Sequence, residues 1–311
     1  MHGEKPADYI KEGENHAGKG TARLPVRSEL TFRLSRPAMR GGSSKVRELT
    51  SSANPLLKVF RRALADGVTR EGWLAVEGPH LLKEALSASS NGSVQSVLVS
   101  RTAASEFRDL LAQVPKEAEV TQVPDGLFRH IAQTEAPQGI AALVELRTPS
   151  LDSVLSQRNA FLLVGCGIQD PGNIGTMVRS AQALGGTALL TLAGTVSPFN
   201  PKAARSTAGA IFRLPVVQGV DPKDLFPRLH TARIRIIAAD QHSPAPLAFA
   251  DLTSSVAILI GREGTGLAPE IFREASQLLS IPIHPGTDSL NAASAASIFL
   301  YEAARQRGFR Y

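Results

Sequence analysis

Between residues 161 and 260 the chain carries short, almost wholly apolar segments at 161–164, 188–192, 234–238 and 256–260, with a stretch of helical character at 174–184 between the first two. Runs this short, separated by helices, build a parallel sheet whose strands are covered on both faces. In an open sheet of that kind, ligands sit beyond the carboxyl ends of the strands. The loops that follow these segments are therefore where chemistry is expected.

The first half follows a looser α/β rhythm. Asn54-Pro55 opens a helix, Asn as the cap and Pro in its first turn. Leu56, Val59, Phe60 and Ala63 recur at helical spacing as its buried side, and Lys58, Arg61 and Arg62 are left as a basic solvent face. An apolar stretch at 73–76, a helix opened by Gly78-Pro79, a strand at 97–99, a helix over 103–113 and a strand at 140–144 follow. Residues 46–146 thus read as a small α/β domain. Residues 147–158, with Thr148-Pro149-Ser150 and little apolar density, read as a linker, and 159–311 as the second domain. Residues 1–45 show no apolar period and hold nine basic and five acidic groups, the pattern of a disordered basic tail. That stretch lacks the apolar core of a secretory signal, and its acids argue against a transit peptide. Met39, followed by a basic stretch, is an alternative start to Met1.

Composition narrows the chemistry. With 43% apolar residues the chain can bury a sizeable core, which excludes a wholly disordered or fibrous protein. The longest apolar runs fall far short of the roughly 20 residues that cross a bilayer, so no membrane association is expected. One cysteine, Cys166, excludes an internal disulfide framework and points to a reducing, cytoplasmic setting. Seven histidines without CxxC or HxxxH spacing give no reason to expect a metal. The excess of 34 basic over 28 acidic residues, a net charge of +6, favours a polyanionic partner.

Three turns in the second half stand out. Asp170-Pro171-Gly172-Asn173-Ile174-Gly175 opens the helix after the first strand. Asn173 is read as its cap, Ile174, Met177, Val178, Ala181 and Leu184 as its buried stripe, and Gly185 as its stop. At 100° per residue Arg179 lies about 140° from Ile174, on the polar side and free to meet a ligand. The second turn, Gly261-Arg262-Glu263-Gly264-Thr265-Gly266-Leu267, follows the strand at 256–260, and its glycines allow close backbone approach to a ligand. It fits neither a Walker loop nor the dinucleotide fingerprint. The third runs from Ile281-Pro282 to Ser289-Leu290-Asn291, with Ser289 as a candidate cap for a helix of very small residues.

In this order the three turns resemble those of the SPOUT methyltransferases, specifically the SpoU or TrmH branch. Asn173 to Arg179, Gly261 to Leu267 and Ile281 to Asn291 fit its pattern, as does Arg205-Ser206-Thr207-Ala208-Gly209-Ala210 between them. In the first half, Ala75-Val76-Glu77-Gly78 and 134–140 resemble the ribosomal-protein-like domain with which many members bind RNA. The resemblance implies an α/β knot: a parallel sheet whose C-terminal segment forms a trefoil knot, S-adenosylmethionine bound in it, and a homodimer through that domain. It implies methylation of a ribose 2'-hydroxyl in structured RNA, ribosomal RNA before transfer RNA. The implied cofactor residues are Gly261, Gly264, Gly266, Ile281 and Leu290, and the implied RNA contacts are Lys58, Arg61, Arg62 and Arg205.

The resemblance also makes Arg179 the catalytic arginine, and since a guanidinium suits electrostatic stabilisation better than base catalysis, it is expected to stabilise the oxyanion, with an RNA phosphate as proton acceptor. Glu263 is expected to orient Arg179 or the ribose, Asn173 and Asn291 to shape the site, and Ser289 to position its loop. Two other readings compete. One is an RNA-binding module without catalysis, against which the intact Asn173, Arg179, Glu263 and Asn291 stand. The other is a Rossmann-type enzyme, whose glycine spacing fails after Gly165-Cys166-Gly167.

Overall fold

The computed structural model describes residues 46–88 and 92–309. The basic tail expected over 1–45, and Met39 with it, lies outside the described residues. Two lobes follow one another along the chain.

The small lobe runs through β1 (Arg47–Glu48), α1 (Pro55–Asp66), β2 (Leu74–Glu77), α2 (Pro79–Ser87), β3 (Gly92–Ser100), α3 (Arg101–Glu106), α4 (Arg108–Leu111), β4 (Glu119–Val123), α5 (Asp125–Arg129) and β5 (Ile140–Leu146). Its five-stranded sheet has the order β1-β4-β3-β5-β2. β4 pairs parallel with β1 and β3, while β5 pairs antiparallel with β3 and β2. β4 escapes the sequence because only Thr121 and Val123 of its Glu-Val-Thr-Gln-Val face the interior. The helix expected over 103–113 is two helices, parted at Phe107, which leaves helical geometry (φ −105°, ψ 33°) and packs on the core.

Asn54 caps α1 as expected, its Oδ1 accepting from the Leu56 amide at 2.9 Å. The buried side differs: Leu57, Phe60, Ala63 and Leu64 face the sheet, while Val59 is 42% exposed. Leu57, Phe60 and Leu64, at i, i+3 and i+7, make a straighter stripe than the one drawn through Leu56 and Val59. Lys58, Arg61 and Arg62 do face solvent, and Arg62 pairs with Asp66 at 3.2 Å.

The stretch read as a linker contains α6 (Leu151–Leu155). Ser150 Oγ accepts from the Ser153 amide at 3.1 Å, and Val154 and Leu155 are buried against the large lobe. Leu151, Val154 and Leu155 stand at i, i+3 and i+4, but one turn is too short a window for periodicity to register.

The large lobe continues through β6 (Phe161–Gly165), α7 (Pro171–Ala183), β7 (Ala188–Leu192), α8 (Pro201–Ser206), β8 (Val216–Val220), α9 (Pro222–Thr231), β9 (Arg235–Ala239), β10 (Val256–Ile260), α10 (Pro269–Phe272), β11 (Gln277–Leu279) and α11 (Ala292–Gln306). Its six strands are all parallel, in the order β11-β9-β10-β6-β7-β8. Alternate residues of each strand serve opposite faces. Phe161, Leu163, Ile258 and Ile260 meet α7 and α11, while Leu162, Val164, Ala257 and Leu259 join the core that includes Leu225, Phe226 and Leu229 of α9. Two covered faces are why these strands read as unbroken apolar runs. β8 and β11 escape the sequence reading because one holds Gln218 and Gly219 and the other is only three residues long.

The lobes are fastened together. Residues of β2 and α2 share a hydrophobic cluster with Ala203 and Ala204 of α8 and with Phe212. Gly67, at φ 96°, lies so close to Phe199 that a methyl group there would sit 2.1 Å from the Phe199 carbonyl oxygen. Glu84 of α2 pairs with Arg213 at 2.6 Å across the seam. Among the described residues no helix is long and apolar enough to cross a membrane.

Candidate active site

α7 and α11 lie side by side on one face of the parallel sheet and both start at its carboxyl end. Ser180 and Ser297 meet through their hydroxyls at 2.8 Å along the pair. Their caps differ from the sequence reading. Asp170, not Asn173, caps α7, its Oδ1 accepting from the Gly172 amide at 3.0 Å, because Pro171 already supplies helical φ and starts the helix three residues earlier. Asn291, not Ser289, caps α11, accepting from the Ala293 and Ser294 amides at 2.9 and 3.1 Å. Asn173 is thereby released to use its amide elsewhere, and capping leaves the Asn291 Nδ2 available as a donor.

Both amides converge on Glu263. Its Oε1 accepts from Asn173 Nδ2 at 2.7 Å, from Asn291 Nδ2 at 2.6 Å and from the Ala292 amide at 3.2 Å. Asn291 Nδ2 also donates to Asn173 Oδ1 at 2.9 Å. One residue from each of the three turns is locked into a single cluster by bonds to a carboxylate, the stronger class of hydrogen bond.

Glu263 belongs to a turn folded tightly on itself. Arg262 and Gly266 exchange two backbone bonds of 3.0 and 2.9 Å, and a methyl group on Gly261 would lie 2.4 Å from the Gly266 carbonyl carbon. Gly264 and Gly266 stand at φ 78° and 66°, in the left-handed region. Beyond this turn, at the carboxyl ends of β9, β10 and β11, opens a cavity of about 220 Å³. Gly261, Gly264, Gly266, Ile281 and Leu290 all line it, with Glu263 and Ser289 at its wall. Leu279 and Phe299 add apolar lining. Asp240, Gln241 and His242 add polar lining that the sequence reading missed. They directly follow β9, so the rule that ligands sit beyond strand ends would have found them.

Arg179 is exposed on α7 and makes no hydrogen bond or ion pair with any described residue. It stands six residues past Asn173, about 9 Å along the axis, and no bond joins it to Glu263, whose three donors all meet at Oε1. The direct orientation of Arg179 by Glu263 is therefore absent. Arg205 is exposed on α8, and Lys58, Arg61 and Arg62 lie on α1 in the other lobe. Cys166, one residue past β6, is buried, and burial pushes its thiol up to about 12, against the thiolate a nucleophile needs. No group of three or more metal-ligating side chains is gathered among the described residues.

The sequence model of the SpoU rRNA Methylase family matches residues 160–301, and that of the MRM3-like substrate binding domain matches 69–142. The chain is 33% identical over 205 residues to the 23S rRNA (uridine(2479)-2'-O)-methyltransferase of Streptomyces viridochromogenes, covering 64% of this chain and 71% of that protein. It is 30% identical over 237 residues to the 23S rRNA (guanosine(2553)-2'-O)-methyltransferase RlmP of Bacillus subtilis, covering 75% of this chain and 89% of that one. Among solved structures, the SpoU methyltransferase AviRb of S. viridochromogenes in complex with AdoMet superposes with a TM-score of 0.74 at 29% identity, over 82% of this chain and 98% of its own.

Proposed function

Because the chain belongs to the SpoU rRNA methylase family, whose members methylate a ribose 2'-hydroxyl of RNA from S-adenosylmethionine, we propose how its own residues carry that reaction. The substrate is ribosomal RNA, and the observation that carries the assignment of the site is Glu263 bound by Asn173 and Asn291 at the wall of the glycine-turn cavity.

The cavity fits the cofactor. Gly261, Gly264 and Gly266 line it with no side chain between their backbone and a ligand, and Ile281, Leu290, Leu279 and Phe299 offer apolar walls to an adenine. S-Adenosylmethionine supplies an electrophilic methyl on a sulfonium sulfur. The protein's task is orientation of the 2'-oxygen in line with it. The Asn173–Glu263–Asn291 cluster holds three turns in fixed register for that purpose. Arg179, with its guanidinium free of protein partners among the described residues, stabilises the negative charge that develops on the 2'-oxygen, and an RNA phosphate takes the proton. Ser289 holds the segment before α11.

The small lobe binds the RNA, with Lys58, Arg61 and Arg62 on α1 and Arg205 on α8 as phosphate contacts. The start of α11, bonded to both Asn173 and Glu263, supports a trefoil knot in which the 280–291 segment passes between α7 and the 261–267 turn. Ile298 and Tyr301, 39% and 53% exposed on α11, support a homodimer through the α7–α11 face. The enzyme works in the cytoplasm, where its ribosomal substrate is.

The test is transfer of labelled methyl from S-adenosylmethionine to total RNA, with digestion to nucleosides. A 2'-O-methylnucleoside is expected, and Arg179→Ala is expected to keep cofactor and RNA binding while losing about 10²–10³ in kcat. An Arg179→Ala enzyme of normal rate would remove the arginine from this role.

A further inference from the structure

The carboxyl end of the large sheet carries cations beyond those the site requires. Arg262 sits in the glycine turn, lines the cavity, and donates its Nε to the Gly167 carbonyl at 2.8 Å. That contact is built in: Gly167 stands at φ 74°, and a methyl group on it would come 2.9 Å from Arg262 Nε. With Nε anchored, neither Nη nitrogen has a protein partner among the described residues. Gln169 Nε2 donates to the same carbonyl at 2.9 Å and to the Gly194 carbonyl at 2.8 Å. The next residue, Asp170, holds Lys202 Nζ at 3.1 Å. Lys202 and Arg205 lie three residues apart on α8 and so share a face. Both are exposed, Arg205 has no side-chain partner among the described residues, and one carboxylate leaves Lys202 with donors to spare. A fixed chain of contacts thus runs from Arg262 at the cavity, through the loop after β6, to α8 beside the small lobe.

We propose that Arg262, Lys202 and Arg205 form a phosphate track that holds the RNA backbone between the methyl-transfer cavity and the seam with the small lobe. The proposal rests on the RNA methyltransferase reading above and adds the route by which the strand leaves the site. The anchored guanidinium of Arg262 has the fork geometry that matches a phosphodiester, and α8, wedged against β2 and α2, ties the track to the RNA-binding lobe. Asp170 opposes the track locally. Its carboxyl is held below the usual range by the Gly172 amide and by Lys202, so it stays a fixed partner to Lys202.

The experiment measures binding of the whole protein to a short fluorescent oligo(U) across a salt series. Removing one phosphate-binding cation is expected to flatten the slope of log K against log salt by about 0.7. Arg262→Gln and Arg205→Gln should each do so and should add in the double variant, while Arg262→Lys keeps the slope. Arg158→Gln, a cation exposed near the amino end of the sheet, should leave it unchanged. Calorimetric S-adenosylmethionine binding checks that the variants are folded and the cavity intact. A double variant with normal cofactor affinity and the parent slope overturns the track, as does an equal flattening in Arg158→Gln. A deoxyoligonucleotide should show the same flattening; an effect confined to RNA would mean that these residues read ribose, which also overturns it. Failure of the wild-type protein to methylate any RNA is a separate result and counts against the functional reading alone.

Discussion

The two ends of the large parallel sheet use arginine in opposite ways. At the amino end, Arg307 follows α11 and donates to the backbone carbonyls of Leu252, Asn159 and Ser254, with its guanidinium 4.6 Å over the Phe161 ring. Its neighbour Gln306 bonds the Ala250 carbonyl at 2.8 Å and receives the Leu252 amide at 2.7 Å. At the carboxyl end, Arg179, Arg205 and the Nη atoms of Arg262 have no such partners among the described residues. Arg307 closes the chain, whereas these three guanidinium groups stay open to a ligand. At these positions an arginine whose nitrogens are all claimed by protein carbonyls serves the fold, and one with donors left over beside the cavity can serve a ligand.

The largest effect should come from the carboxyl end. Glu263→Ala removes the acceptor that joins three turns, and methyl transfer should fall by about 10²–10³. Thermal unfolding should move by only a few degrees, since the cluster is open to solvent and water can replace the missing acceptor. Glu263→Gln, which keeps a carbonyl oxygen, should fall between. If stability dropped in step with activity, the two ends would not be separable in this way.

The complementary break is Arg307→Ala. Loss of the bonds to three carbonyls together with the ring contact should cost about 2–3 kcal/mol of stability, read from urea unfolding. The folded fraction should keep its kcat and its cofactor affinity. A variant of unchanged stability would show that α11 is held by its small apolar residues alone.

What can be read in advance follows the same division. Four of the five five-residue strands of the large sheet are legible because two covered faces make an apolar run, and the turns are legible because glycine and asparagine crowd there for steric reasons. Pairing is not legible. That Asn173 and Asn291 both give their side-chain amides to Glu263, and that Asn291 also reaches Asn173, depends on contacts 90, 28 and 118 residues apart in the chain. The partnering of Arg307 is equally hidden, because a carbonyl acceptor leaves no mark on the sequence that supplies it. Half-buried strands such as β4, with two inward residues, and helices such as α8, with two buried alanines, fall below what periodicity detects.

A smaller effect sharpens the comparison within the carboxyl end. Gly261→Ala forces a methyl group against the Gly266 carbonyl, so the 261–267 turn must open. S-Adenosylmethionine affinity should weaken about tenfold, a cost of about 1.4 kcal/mol, with little change in unfolding. An unchanged affinity would mean that the turn does not touch the cofactor.

The smallest effect tests whether position at the carboxyl end is enough to make a residue chemical. Cys166 sits there, one residue past β6, yet it is buried among apolar neighbours, and burial penalises its thiolate and pushes the thiol up to about 12. At pH 8 only about one molecule in 10⁴ carries a thiolate, so a thiol reagent should leave the native protein untouched. In urea the group regains an ordinary value near 8.5 and should react at once. In the native protein the rate should climb tenfold per pH unit through the alkaline range, because the raised group is still losing its proton there. Cys166→Ala should cost about 1 kcal/mol in packing and leave methyl transfer within twofold. Rapid native labelling, or a large fall in kcat, would place this sulfur among the working groups. Silence on both counts would tie function at this end to unclaimed donors rather than to place in the fold.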